Sequence, residues 1–447
     1  MKTKKIVALL LAVLMLLSVF AGCASKTTTD ADTSKDNQST TDSTNTTDST
    51  DTADSAASGE TIKVGVLYPL TGNNAVAGNE SVACLKVAAE IINGSYDIDF
   101  PGAKTEGIQS MGGAKIEIVT ADTQASAEVA ATEAERLITQ ENVVAIIGCD
   151  MSSCTKTASA VAEKYGVPFV NGESSSDLLI GRGLDYFFHV GPCDSTLVKS
   201  SFDYLDTIRE AQGIETVAIC GGDDEAGTLF VQLCETEANE RGYAIGTSFT
   251  YPTEAASLSS ECMKLKASNA DAMLVFALTS PAIMLLQNMS EMDINFKVTI
   301  TARGGFIATE FFDTVGDKAE YIMTENTWSL DSVSDKPWVA QINDMMVEQA
   351  GCGLNGNYAR AVQAFFTLTD ALERAGSAEG EALKDALWAT DLGQDALICA
   401  WEGVKFSENG QNDLAAGIMT QVQNGGYVTV WPEVVPAVVP APTWSER

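Results

Sequence analysis

The sequence predicts an α/β protein built from two doubly wound parallel-sheet lobes, preceded by a segment outside the fold. Three observations carry that prediction. From residue 60 onward, short apolar runs alternate with amphipathic stretches of 10–16 residues, the order of strand and covering helix in a parallel sheet. The alternation restarts near residue 195, so there are two such sheets. At 447 residues the chain also exceeds the ~250–300 residues at which one core stops growing.

The first 22 residues read as a secretion signal. Lys2, Lys4 and Lys5 precede an apolar run from Ile6 to Phe20, which ends in Ala21-Gly22-Cys23. The run falls short of the ~20 residues of a spanning helix. Small residues before a cysteine resemble a bacterial lipobox, although Phe20 stands where Leu is commoner. That resemblance implies that Cys23 is lipidated and becomes the mature N-terminus; the alternative is an ordinary signal peptide with an incidental cysteine. Residues 24–59 contain no aromatic residue and no Ile, Leu or Val. Such a segment cannot bury enough surface to offset its ordering entropy, so 23–59 is expected to be a lipidated cysteine followed by a disordered Ser/Thr/Asp linker. As a random coil it spans ~30–36 Å.

The first sheet is predicted from strands at 62–67, 115–120, 143–147 and 167–171, with helices at 78–93, 126–139 and 154–165 between and after them. Val143-Val144-Ala145-Ile146-Ile147 is apolar throughout, as a strand buried on both faces requires. The second sheet is predicted from strands at 215–220, 244–250, 271–277 and 296–301 and helices at 196–211, 226–242, 256–267 and 281–291. Further helices near 335–350, 357–376 and 380–390 and strands at 415–422 and 426–431 divide between the lobes. The tail 432–447 is expected to lie over the surface.

Composition excludes several function classes. The net charge of −34 lacks the basic footprint of a nucleic-acid binder. Residues 60–447 carry about −32 of it, which disfavours adhesion of the folded part to an anionic bilayer. A single histidine, His189, removes most His-dependent catalysis and leaves little imidazole for zinc. It lies at the first expected crossover, where a structural role is the simpler reading. No C-x-x-C motif occurs, and neither G-x-G-x-x-G nor G-x-x-x-x-G-K-[ST] appears after a predicted strand, so no cofactor or metal is expected. Asp122, Asp150, Asp223 and Asp224 sit at strand ends but lack calcium-loop spacing. Nine cysteines follow Cys23, an odd number, and most read as buried thiols.

Ligands of open α/β sheets bind beyond the C-terminal strand ends. The loop after 143–147 reads Gly148-Cys149-Asp150-Met151-Ser152-Ser153-Cys154-Thr155 and enters a helix. Hydroxyls at a helix N-terminus suit a carboxylate, or serve as simple caps. The loop after 167–171, Gly172-Glu173-Ser174-Ser175-Ser176-Asp177, offers hydroxyls to the same crevice.

These loops fall within a wider resemblance. Tyr68-Pro69-Leu70-Thr71-Gly72, Ala77-Gly78, Ala88-Ala89-Glu90-Ile91-Ile92-Asn93, Gly112 to Ile116, Ala121-Asp122-Thr123, Val143 to Ser153, Gly166-Val167-Pro168, Phe188 to Pro192 and Phe406 to Asn412 follow in order. Together they resemble the leucine/isoleucine/valine-binding branch of type I periplasmic binding proteins over 62–432. The resemblance implies a non-enzymatic solute receptor of an ABC importer, with lobes joined by three crossovers that close on ligand by hinge motion. It places 60–191 with 325–400 in the N-terminal lobe, 192–324 with 401–435 in the C-terminal lobe, and 436–447 in a tail.

It also implies that Ser152, beside Ser153, grips a ligand carboxylate, and that Ser175 is the hydroxyl residue of the next loop. Glu173 stands where the family uses a backbone carbonyl for the amino group. The second lobe departs from the pattern: Glu225-Ala226-Gly227 replaces an aromatic-Gly pair, and Arg303 follows the strand where a Glu is common. Arg303 suits a carboxylate, or a hinge or surface ion pair. Thr279 is a cleft wall or a structural threonine. Trp328 and Trp401 line the cleft or pack in the core. The implied partners are an amino acid or related carboxylate, an ABC permease, and a membrane through the lipid anchor alone. The chain is expected to be monomeric and to sit on the outer face of the cell membrane. A sensory module for a membrane receptor, or a secreted serine hydrolase using His189, are the alternatives.

Overall fold

A computed structural model describes residues 61–440 and 444, apart from 73, 303, 308 and 433. The signal, Cys23, the linker and Arg303 therefore lie outside the described residues.

The first sheet contains β1 (Ile62–Tyr68), β2 (Ile116–Asp122), β3 (Ala145–Gly148), β4 (Phe169–Asn171) and β5 (Phe187–His189). Their order is β2-β1-β3-β4-β5 and every pairing is parallel. The helices between them are α1 (Ala75–Asn93), α2 (Ala127–Thr139) and α3 (Ser152–Tyr165). Ser126 caps α2 by accepting from the Val129 N–H, satisfying one of the free donors of its first turn. β5 was not expected: three residues are too few for a periodic signal, and the strand forms because Phe187, Phe188 and His189 are all buried beside β4.

α4 (Asp194–Gln212) crosses to the second sheet. There β6 (Thr216–Gly222), α5 (Glu225–Glu240), β7 (Ala244–Tyr251), α6 (Ser259–Ser268), β8 (Ala272–Phe276), α7 (Thr279–Glu291) and β9 (Val298–Ala302) follow one another, and α8 (Thr309–Val315) leads to β10 (Met323–Asn326). The order is β14-β13-β10-β9-β8-β6-β7. β6 to β10 run parallel, whereas β13 (Ile418–Gln423) and β14 (Gly426–Trp431) form an antiparallel hairpin on β10.

Between β10 and β13 the chain returns to the first sheet. α9 (Pro337–Met345), α10 (Gly356–Ala375) and α11 (Gly380–Trp388) bring Trp338, Val339, Phe365, Leu368, Leu372 and Leu383 into the core around Val64, Leu85 and Ile91. A short antiparallel pair, β11 (Asp391–Gly393) and β12 (Gly403–Lys405), follows. Trp401, Val404 and Phe406 are buried in this same core, and the His189 N–H donates to Gly410 O at 2.8 Å. The stretch 401–415, expected in the second lobe, therefore packs on the first. The reason is the edge strand β5, whose open side the 406–412 loop covers. β10 likewise carries Glu325 and Asn326 into the second sheet, just past the expected boundary. Trp328 donates its indole N–H to Ile398 O at 2.8 Å and, like Trp401, is a core residue. The tail touches the second sheet, where the Val438 N–H meets Gln421 Oε1 at 2.8 Å.

Candidate ligand-binding site

β1, β3 and β4 are neighbours, so their C-terminal ends bring Tyr68, Gly148–Asp150 and Asn171–Ser175 together. Side chains fasten these loops to one another. Asn171 Nδ2 donates to Gly148 O at 2.8 Å and to Cys149 O at 3.0 Å. Ser174 Oγ donates to Cys149 O at 2.8 Å and lies 2.6 Å from Thr155 Oγ1. The close approach of backbones fixes two glycines: a Cβ on Gly172 would stand 2.3 Å from Arg360 O, and one on Gly191 would stand 2.2 Å from Gly172 O.

On this frame Ser152 is the first residue of α3 and half-buried, and Ser153 is exposed beside it. The N-cap position belongs to Met151, which offers no side-chain acceptor, so Ser152 is not the simple cap that its position in the sequence allowed. Its Oγ instead accepts from the Ser176 N–H at 3.4 Å, joining the two serine loops. Ser175 is half-buried and its carbonyl accepts from the Asp194 N–H at 2.7 Å.

Glu173 is almost wholly buried, at 5% exposure. Ser81 on α1 donates to its Oε1 at 2.9 Å, and Arg360 on α10 donates to its backbone carbonyl at 2.7 Å. Oε2 has no hydrogen-bond partner; neither do Tyr68 OH and Asp150 Oδ1, which share the same strand ends. Burial and then the neighbouring Asp150 push the Glu173 carboxyl up to about 7, against the pull of Tyr68, Arg360 and Ser81. Burial likewise raises Asp150 to about 6, although Asn74 donates to its other oxygen. Tyr68, Asp150 and Arg360 thus belong to the surroundings of Glu173. For Arg360 a signal existed: it is the one charged residue in the run Tyr358 to Thr369 of a long, otherwise buried helix.

In the second sheet β6, β8 and β9 are neighbours, and Glu225 and Thr279 follow the C-terminal ends of β6 and β8. Glu225 opens α5 and is exposed, while Asp224 caps that helix by accepting from the Gly227 N–H at 2.7 Å. Thr279 opens α7 and is half-buried. The loop after β9 reaches it, with the Gly305 N–H donating to Ala277 O at 2.8 Å. Six of the seven expected residues are described and fall into two groups: Ser152, Ser153, Glu173 and Ser175 follow strands of the first sheet, and Glu225 and Thr279 follow strands of the second.

The remaining strand-end carboxylates serve the backbone. Asp122 accepts from the Leu70 and Gln124 N–H groups at 2.8 Å, and these bonds hold its carboxyl below the ordinary range despite some burial. Asp223 accepts from the Thr253 N–H at 3.0 Å. His189 is fully buried; Nδ1 faces Gln411 Oε1 at 2.7 Å and Nε2 faces Ser174 O at 2.5 Å, so neither nitrogen is turned to a serine hydroxyl. Three cavities of the fold lie elsewhere; one of 160 Å³ is lined by Ile92, Phe100, Phe366 and Leu392.

Comparison with known proteins bears on the family and the fold. Leu/Ile/Val-binding protein homolog 7 of Brucella abortus (strain 2308) is 28% identical over 382 residues, covering 83% of this chain and 92% of the relative. Two solved structures share the fold. One is the leucine-binding protein LivK of Thermotoga maritima, with a TM-score of 0.66 and 19% identity, covering 82% of this chain and 97% of that one. The other is the branched-chain amino acid transporter substrate-binding protein LivJ of Streptococcus pneumoniae in complex with isoleucine, with a TM-score of 0.67 and 22% identity, covering 84% and 99%. The sequence profile described as "Periplasmic binding protein" matches residues 61–426, and this chain belongs to that family.

Proposed function

We propose that this protein is an extracytoplasmic substrate-binding lipoprotein of an ABC importer. It captures a small amino acid or related carboxylate between its two sheets and delivers it to a permease. The observation that carries the reading is the serine pair at the start of α3. A half-buried and an exposed hydroxyl sit at the positive end of a 14-residue helix whose N-cap side chain supplies no acceptor. Such an end favours a carboxylate by dipole and by donor geometry.

Ser152 and Ser153 grip the carboxylate and Ser175 adds a hydroxyl from the next loop. Glu173 acts from behind that loop, setting its position and the local charge. Glu225, Thr279 and Arg303 form the opposing wall, which reaches the ligand when the lobes close. Closure is a population shift, driven by the ligand's contacts to both walls. Cys23, through lipid, and the 24–59 linker hold the domain at the outer face of the membrane; the lipobox and the linker composition support this. The relatives' names, with leucine and isoleucine as ligands, support an amino acid as first choice. Nothing in the cycle calls for chemistry, and the two occupied nitrogens of His189 speak against a serine hydrolase.

A thermal-shift screen of the full chain in detergent tests the proposal. The panel holds aliphatic and acidic amino acids, dicarboxylates, aromatic acids, amides and sugars. A ligand at 100 times its Kd adds ~2.7 kcal/mol, which a melting curve resolves. Stabilisation by a carboxylate solute that is lost in Ser152→Ala supports the site. Stabilisation by sugars alone rejects it.

A further inference from the structure

All nine cysteines among the described residues are free thiols, but two of them touch. Cys84 Sγ on α1 lies 3.7 Å from Cys352 Sγ, in the loop that joins α9 to α10. They are 268 residues apart in sequence. Cys84 is fully buried; Cys352 is partly exposed and flanked by Gly351 and Gly353, which leave its loop room to adjust. A disulfide needs ~2.05 Å between sulfurs, so a movement of under 2 Å in that loop closes the bond.

The position of the pair gives such a bond a consequence. Cys84 is three residues from Ser81 on α1, and Ser81 donates to the Glu173 carboxyl group. The Cys352 loop leads directly into α10, where Arg360 holds the Glu173 backbone. The two thiols thus tie together the two elements that grip the Glu173 loop. Between them Glu80 accepts a hydrogen bond from Tyr358 OH. Burial raises the Cys84 thiol strongly, with Cys352, Glu173 and Glu80 adding to the effect. Burial and Glu80 also raise Cys352, against a hydrogen bond from Cys84.

We propose that Cys84 and Cys352 are a thiol–disulfide exchange site whose oxidation cross-links α1 to the α9–α10 loop. The oxidant is a disulfide, from a small molecule or a dithiol oxidoreductase. The Cys352 thiolate attacks it, forming a mixed disulfide and releasing one thiolate. Cys84 gives its proton to solvent and attacks the Cys352 sulfur, releasing the second thiolate. The pair loses two protons and two electrons, and the oxidant becomes two thiols. The partly exposed Cys352 is the entry point, and the raised thiols make exchange slow at neutral pH and faster above it.

The test equilibrates reduced full-length protein in detergent with oxidised glutathione at pH 8, followed by alkylation of remaining thiols and peptide mass spectrometry. The expected result is a loss of two titratable thiols per folded chain and one linked peptide pair containing Cys84 and Cys352. Cys352→Ser should abolish the linkage and leave Cys84 alkylatable on unfolding. Cys84→Ala should stop at a glutathione adduct on Cys352, which separates failure to cross-link from failure to fold. Wild-type protein that keeps both thiols, or that carries glutathione on Cys352 without the internal bond, overturns the proposal. None of these readouts uses a ligand, so they stand apart from the transport reading.

Discussion

Replacing Glu173 by Gln should raise stability at neutral pH, although Glu173 sits at the proposed site. The carboxyl is 5% exposed and its pKa stands near 7, against an ordinary value of 4.5. Below about pH 4.5 the folded and unfolded chains both keep the proton and nothing is lost. Between 4.5 and 7 the unfolded chain releases it while the folded chain retains it. Stability then falls by up to about 1.4 kcal/mol per pH unit. Above pH 7 the loss is complete, at about 3 kcal/mol. Gln keeps an acceptor for Ser81 and removes the titration. The assay is urea unfolding of wild type and Glu173→Gln at pH 5, 6, 7 and 8, comparing midpoints at constant slope. The variant should nearly match wild type at pH 5 and exceed it by ~2–3 kcal/mol at pH 8. A Glu173→Gln protein that is weaker than wild type at pH 8, with the same pH slope, would show that Glu173 is ionised and compensated, and would refute the reasoning.

Other substitutions probe the frame around the site. Gly191→Ala puts a methyl 2.2 Å from Gly172 O, where backbone must give way, so it should cost ~1–3 kcal/mol or more in urea unfolding. Thr155→Ala and Ser174→Ala each strand a partner in the buried network that joins the β3 and β4 loops; each should cost ~1–3 kcal/mol, with the double variant less than additive in a mutant cycle. Lys336 Nζ donates to Gln394 O, Leu397 O and Cys399 O at 3.0–3.1 Å, so Lys336→Met should lower the melting temperature by leaving three carbonyls without that donor. The corresponding loss is at least ~1–3 kcal/mol, and an unchanged melting temperature would show that the loop repacks.

The fold was legible because its long elements obey one period each. Val143 to Ile147 and the face of Ala130, Ala134 and Leu137 state strand and helix without competition from packing. Short edge strands were not. Phe187–His189 exists only because β4 lies beside it and Gly410 pairs with it, and neither contact is local in sequence. The same non-local cover moved 401–415 onto the first lobe. At the site, serine loops after consecutive strands could be read directly, since strand order makes their meeting a matter of topology. The burial of Glu173 could not, because it depends on Ser81 and Arg360, 92 and 187 residues away.

The most direct test of the account is a calorimetric titration of the full chain with the best carboxylate ligand, followed by recovery of that ligand. The account predicts saturable binding at one site per chain, at least tenfold weaker in Ser152→Ala, unaffected by the identity of buried His189 in any catalytic sense, and with the ligand recovered intact. Binding that is indifferent to Ser152, or a ligand recovered as hydrolysed product, would contradict it.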